Sequence, residues 1–120
     1  MDKLGRDDLF YYILDGKYDD AIIKINNIDD VNYKDKNGYS YLHIAVQCGA
    51  ENIVKALIEK GIEVDSTDKY GKTPLMIAMI DYSDDRKIID MLLENGANPC
   101  HKAKSGMSVR ELAEMNGLKI

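Results

Sequence analysis

The sequence lacks tryptophan and is rich in isoleucine, lysine, asparagine and tyrosine, a bias of the kind an AT-rich genome produces, which informs on source rather than on function. Cysteine occurs only twice, at positions 48 and 100, too few for a disulfide scaffold, so a reducing cytoplasm is the expected setting. Long apolar runs are missing as well. The longest, Pro74 to Ile80, falls far short of the ~18 residues a membrane span needs. The opening Met-Asp-Lys-Leu-Gly-Arg-Asp-Asp holds no apolar segment of signal-peptide type. Nor is there an excess of basic charge. A net charge of −5 argues against a general binder of nucleic acid or anionic membrane. No nucleophile-elbow sequence, P-loop or dinucleotide fingerprint occurs, and no cofactor is expected.

What is present is a repeat. The chain's 120 residues suffice for one domain, read as 1–120, with one continuous core. Gly5, Gly38, Gly71 and Gly106 recur at intervals of 33, 33 and 35 residues. Two residues after each stands a helix N-cap type: Asp7, Ser40, Thr73 and Ser108. Eleven residues after three of them comes another glycine, at 16, 49 and 117. Amphipathic helices fill the intervals. Leu42, Ala45 and Val46 share a face in one. Second helices follow with Ile53, Val54 and Leu57, then Ile88, Ile89 and Leu92, and Gly61 and Gly96 stand where a left-handed C-cap is wanted. Pro74 suits a first helical position, and Ser108 with Glu111 reads as a capping box. A lone pair of short helices cannot bury its apolar face, so the units must stack into an all-α solenoid.

Asp68-Lys-Tyr-Gly71-Lys-Thr73-Pro74-Leu75-Met-Ile-Ala78 resembles the ankyrin-repeat signature, as does the run from Asp35 through Gly38, Leu42 and His43 to Ala45. The second halves, Ile53 to Gly61 and Leu92 to Asn98, are similar to the rest of that motif. The units are placed at 2–34, 35–67, 68–102 and 103–120, the third carrying two extra residues in its turn from Asp81 to Lys87. The resemblance implies paired antiparallel helices, a β-hairpin-like finger at the base of each unit, and a binding face made of fingertips and first helices. Polar end faces are expected from Asp19, Asp20 and Lys24 at one end and Arg110, Glu111 and Glu114 at the other, giving an array complete as written.

Among candidate chemical groups, His43 stands at the histidine position of the signature, and a structural hydrogen-bonding role is expected of it. His101 and Cys100 are adjacent, but two neighbouring residues cannot alone build a tetrahedral zinc site, so no metal is expected. Asp81, Asp84 and Asp85 lack the spacing of a calcium loop and read as a solvated turn. Met76, Met79 and Met91 fall at core positions. The pattern that packing does not force is lysine at the second position of every unit: Lys3, Lys36, Lys69 and Lys104. Taking 1–6, 33–39, 66–72 and 101–107 as fingertips, these carry eight basic and three acidic residues, a net of +5, and the remainder carries −10. Tyr39 and Tyr70 flank fingertip glycines where packing gives no reason for an aromatic, and tyrosine is enriched at binding hot spots.

The chain is therefore read as a non-enzymatic protein-binding module, monomeric, and working as an adaptor, inhibitor or immunity-type protein of the kind small bacterial arrays resemble. Its expected partner-binding residues are Lys36, Tyr39, Lys69, Tyr70, Lys72 and Lys104, facing a protein with an acidic surface. Two other classes compete. A thiol-dependent enzyme or redox regulator would use Cys48 or Cys100 but has no identifiable base. A nucleic-acid backbone binder would use the lysine-bearing tips against the repulsion of the acidic remainder.

Overall fold

In a computed structural model the described residues are 2–82 and 85–120, and they form seven helices. These are α1 (Asp8–Leu14), α2 (Tyr18–Asn27), α3 (Tyr41–Gln47), α4 (Glu51–Glu59), α5 (Pro74–Ile80), α6 (Lys87–Glu94) and α7 (Val109–Met115). Asp84, one of the three aspartates grouped in the long turn, lies outside the described residues, as does Ser83.

Each odd-numbered helix starts where the repeat places a cap. The side chains of Asp7, Ser40, Thr73 and Ser108 accept from the backbone N–H three residues on, satisfying an amide the first turn would leave unpaired. Pro74 takes the first helical position of α5. The capping box differs from expectation. In α7 the Glu111 N–H donates to Ser108 Oγ at 3.1 Å, and the Ser108 hydroxyl donates to Glu111 Oε1 at 3.3 Å. The carboxylate is thus engaged by the hydroxyl rather than by the Ser108 backbone. The reciprocal box forms instead at α3, where His43 Nδ1 accepts from the Ser40 N–H at 3.1 Å.

Stacking runs in two rows. Helices α1, α3, α5 and α7 pack in succession, and α2, α4 and α6 form a second row behind them. The front row carries the core: six of the seven residues of α3, from Tyr41 to Val46, are buried because α1, α4 and α5 enclose it. Back-row helices bury a narrower stripe, such as Ile53, Val54 and Leu57 of α4. Met76 and Met79 are buried as expected, whereas Met91 is only half-buried, since the back row has no third layer to cover it. Asp19, Asp20, Lys24, Arg110, Glu111 and Glu114 are exposed, but apolar Ile23 and Met115 are exposed beside them, at 62% and 73%.

Candidate protein-binding face

The fingertips are built by their aspartates. Asp35 Oδ1 accepts from the N–H groups of Asn37 and Tyr39, each at 2.9 Å, and Asp68 Oδ1 does the same for Tyr70 and Lys72. Such a bend needs a positive φ at its glycine, and Gly38 and Gly71 both sit at +77°. Room is a second reason. A Cβ on Gly38 would lie 3.0 Å from the Asp68 Cα and Lys69 N, and one on Gly71 would lie 2.9 Å from Lys104 N, because the next finger lies directly against each.

Successive fingers are joined backbone to backbone in one register. The N–H of Lys36 donates to Leu4 O at 2.7 Å, that of Lys69 to Asn37 O at 2.9 Å, and that of Lys104 to Tyr70 O at 3.0 Å. The repeated lysine is thus the residue whose backbone ties one finger to the one before. Its side chain is left outside, and Lys3, Lys36, Lys69 and Lys104 are all exposed. Side chains reinforce these ties unevenly. Tyr33 donates to the Gly5 carbonyl, and at the equivalent place in the last finger His101 Nε2 bonds the Gly71 carbonyl at 2.7 Å. His101 therefore has a structural role. Arg6 Nε bonds Asp35 Oδ2 at 3.1 Å, with the carboxylate wholly buried. One repeat further on, Tyr39 stands in the place of Arg6 and Asp68 in that of Asp35. There the Asp68 Oδ2 is buried and has no hydrogen-bond partner among the described residues.

His43 holds the second helix pair to the third finger. Its Nδ1 faces the Ser40 N–H and hydroxyl, and its Nε2 meets the Lys72 carbonyl at 2.8 Å, an arrangement that selects the neutral ring protonated at Nε2. Burial pushes its pKa below the ordinary value, partly opposed by the Lys72 carbonyl, which favours a protonated ring. Tyr39 stacks on this imidazole, centroids 5.1 Å apart and planes 24° from parallel. Packing therefore does give a reason for an aromatic at 39, contrary to the expectation from sequence. Tyr70 has no such partner ring among the described residues. It is 56% exposed, and the Lys69 and Lys72 ammonium groups stand 5.1 and 5.6 Å from its ring centre.

Between the second and third fingers these residues line a groove of about 260 Å³. Tyr39, Lys69 and Tyr70 come together there, joined by Arg6, Asn37 and Gln47. Lys36, Lys72 and Lys104 do not line it: Lys36 is on the second finger but outside its walls, Lys104 belongs to the fourth finger, and Lys72 is half-buried beside Tyr70. Three of the groove's walls escaped the sequence reading. Arg6 was legible only as a basic fingertip residue, though it shares the repeat position of Tyr39. Asn37 shares the position of Tyr70. Gln47 is the polar residue closing the otherwise buried run of α3. The groove offers the Lys69 ammonium, the Arg6 guanidinium already paired with Asp35, two aromatic rings and two amides, which together can orient a polar segment.

The competing chemistries find less. Cys48 and Cys100 are exposed and unpaired, and partial burial of the Cys48 sulfur pushes its thiol above the usual range, away from the nucleophilic thiolate. Among the described residues no group of three or more His, Cys, Asp or Glu is placed to hold a metal ion, and no helix is long and apolar enough to cross a membrane.

Comparison with known proteins gives this architecture its family. The model for ankyrin repeats, in three copies, matches residues 5–103, and the chain belongs to the ankyrin-repeat family. Repeats of this family generally serve as protein-interaction modules and are typically non-enzymatic. The chain is 30% identical over 117 residues to human BCL-6 corepressor-like protein 1, covering 98% of this chain and 6% of that protein. It is 29% identical over 104 residues to ankyrin repeat-containing protein P1E11.10 of Schizosaccharomyces pombe, covering 86% and 48%. It is 33% identical over 90 residues to the B-cell lymphoma 3 protein homolog of Mus musculus, covering 74% and 20%. The chain thus spans about half or less of the length of these relatives, all of them eukaryotic, and none supports the bacterial likeness expected from sequence.

Proposed function

We propose that this chain, read as one array of units 2–34, 35–67, 68–102 and 103–120, binds a protein partner with an acidic surface. It does so through its fingertips and first helices, as a monomeric adaptor, inhibitor or immunity-type protein. The observation that carries the reading is Tyr70: an aromatic side chain more than half in solvent, braced by Lys69 and Lys72 and opening onto a groove that also holds Arg6 and Tyr39. Exposing that ring to water has no benefit for folding, and it is the kind of rigid amphipathic anchor that interfaces favour. The exposed, unpaired cysteines fit a reducing cytoplasm.

The test begins with capture of partners by the immobilised chain from extract of its native host, identified by mass spectrometry. The complex is then rebuilt from purified components and titrated with salt. An acidic protein partner should give a measurable Kd with a moderate salt slope. Recovery of nucleic acid alone, with log K falling about 0.9 per phosphate neutralised per decade of salt, would replace this reading with the backbone-binding one.

A further inference from the structure

The acidic remainder of the chain is not spread evenly. A cleft of about 330 Å³ opens at the end of the helices opposite the fingertips, between the α3–α4 turn and the start of α6. Val46, Ala78, Ile88 and Ile89 give it apolar walls. Its charged walls are Glu51, Asp81 and Asp85, and no Lys, Arg or His lines it among the described residues. Among the described residues the three carboxylates belong to no group placed to hold one metal ion. The volume is at the small end for ligand pockets, of side-chain rather than cofactor size.

A cleft lined by both apolar side chains and carboxylates is complementary to one type of side chain: a long aliphatic stem ending in a cation. We propose that this cleft takes a lysine- or arginine-bearing segment of a second protein, the stem lying on Val46, Ala78, Ile88 and Ile89 and the charged head held among Glu51, Asp81 and Asp85. Gln47 lines both the cleft and the fingertip groove, and their other walls are distinct. The two faces carry opposite charge, so one array can hold an acidic protein at its tips and a basic segment at its turns. The inference does not depend on the fingertip reading.

Cys48 supplies a local probe, because its exposed thiol lines the cleft. The full chain, methyl-labelled, is titrated with acetylated tetralysine amide, with its diaminopropionate analogue of equal charge and shorter stems, and with spermine. Alkylation of Cys48 is followed in parallel in a Cys100→Ser variant. Tetralysine should shift the methyls of Val46, Ala78, Ile88 and Ile89 saturably and slow Cys48 alkylation. The short-stem peptide should bind about fivefold more weakly, having lost its apolar contact. Asp81→Asn with Asp85→Asn should weaken tetralysine about tenfold at an unchanged melting temperature. If that pair disturbs folding, Glu51→Gln alone should weaken it by several-fold. Shifts spread over the whole surface, equal binding of both peptides, or an affinity indifferent to the carboxylates would overturn the proposal. Spermine binding the same methyls as tightly as tetralysine would make this a polyamine site instead.

Discussion

Installing an arginine at position 39 should stabilise the protein. The repeat contains its own template, since Arg6 bonds the buried Asp35 Oδ2 at 3.1 Å, while Tyr39 holds the equivalent repeat position one unit on, where Asp68 Oδ2 has no hydrogen-bond partner among the described residues. A hydrogen bond between a guanidinium and a buried carboxylate contributes about 1.5–3 kcal/mol. Replacing Tyr39 loses its stack on His43, at 5.1 Å between centroids, a loss of about 0.5–1.5 kcal/mol. The balance for Tyr39→Arg is a gain of about 1 kcal/mol, or about 4 °C in Tm for a domain of this size. The reverse change, Arg6→Ala, strips the donor from Asp35 and should cost about 2 kcal/mol. Urea denaturation of both variants, and of each combined with Asp68→Asn, gives the answer. The gain from Tyr39→Arg must disappear when residue 68 is asparagine. A Tyr39→Arg protein no more stable than the parent, or one whose gain survives Asp68→Asn, would refute the equivalence of the two junctions.

Three further outcomes follow from the packing. Leu57, wholly buried in α4, should cost about 2–5 kcal/mol on change to alanine by urea denaturation, and a cost under about 0.5 kcal/mol would remove it from the core. Ala at Gly71 and at Gly106 should each carry about 1–2 kcal/mol for a left-handed backbone. Gly71→Ala should exceed Gly106→Ala by at least about 1 kcal/mol in the same assay, since its Cβ meets Lys104 N at 2.9 Å while nothing lies within 4 Å of that at 106. His43 has a folded pKa below its ordinary 6.5, so the unfolded chain takes up the proton first as pH falls. The stabilisation it gives is complete above that value and lost as pH drops through the folded one, with a slope of up to about 1.4 kcal/mol per pH unit. Urea midpoints below about pH 6.5 should show this slope, and His43→Leu should flatten it.

How much of this was legible follows from the range of each interaction. The glycine register, the caps and the helix pairs depend on residues within a few positions of one another, and the sequence pattern carries them directly. The use made of the lysines was half legible. Their repetition was plain, but their backbone N–H groups tie finger to finger across about thirty residues, and no local pattern announces that. The same holds for Arg6 with Asp35, and for Tyr41, which packs 4.7 Å from Phe10 and donates to Asp7 from the helix position that Pro74 occupies one repeat later. The packing role of Tyr39 was hidden differently: His43 is close in sequence, but the stack forms only once α3 and the finger are both in place. Gln47 joined the groove because the helices stack at a particular offset, a quantity set by the whole core.

Binding of the partner at the fingertip face is open to a direct test on the complex itself. With a purified partner, Lys36→Glu, Lys69→Glu and Tyr70→Ala are combined, and Kd and Tm are measured against the parent chain. All three side chains are exposed, so Tm should hold. Kd should rise about tenfold or more, equivalent to at least about 1.4 kcal/mol. An unchanged Kd, with affinity lost instead when Lys55 and Met91 of the back helices are altered, would contradict it.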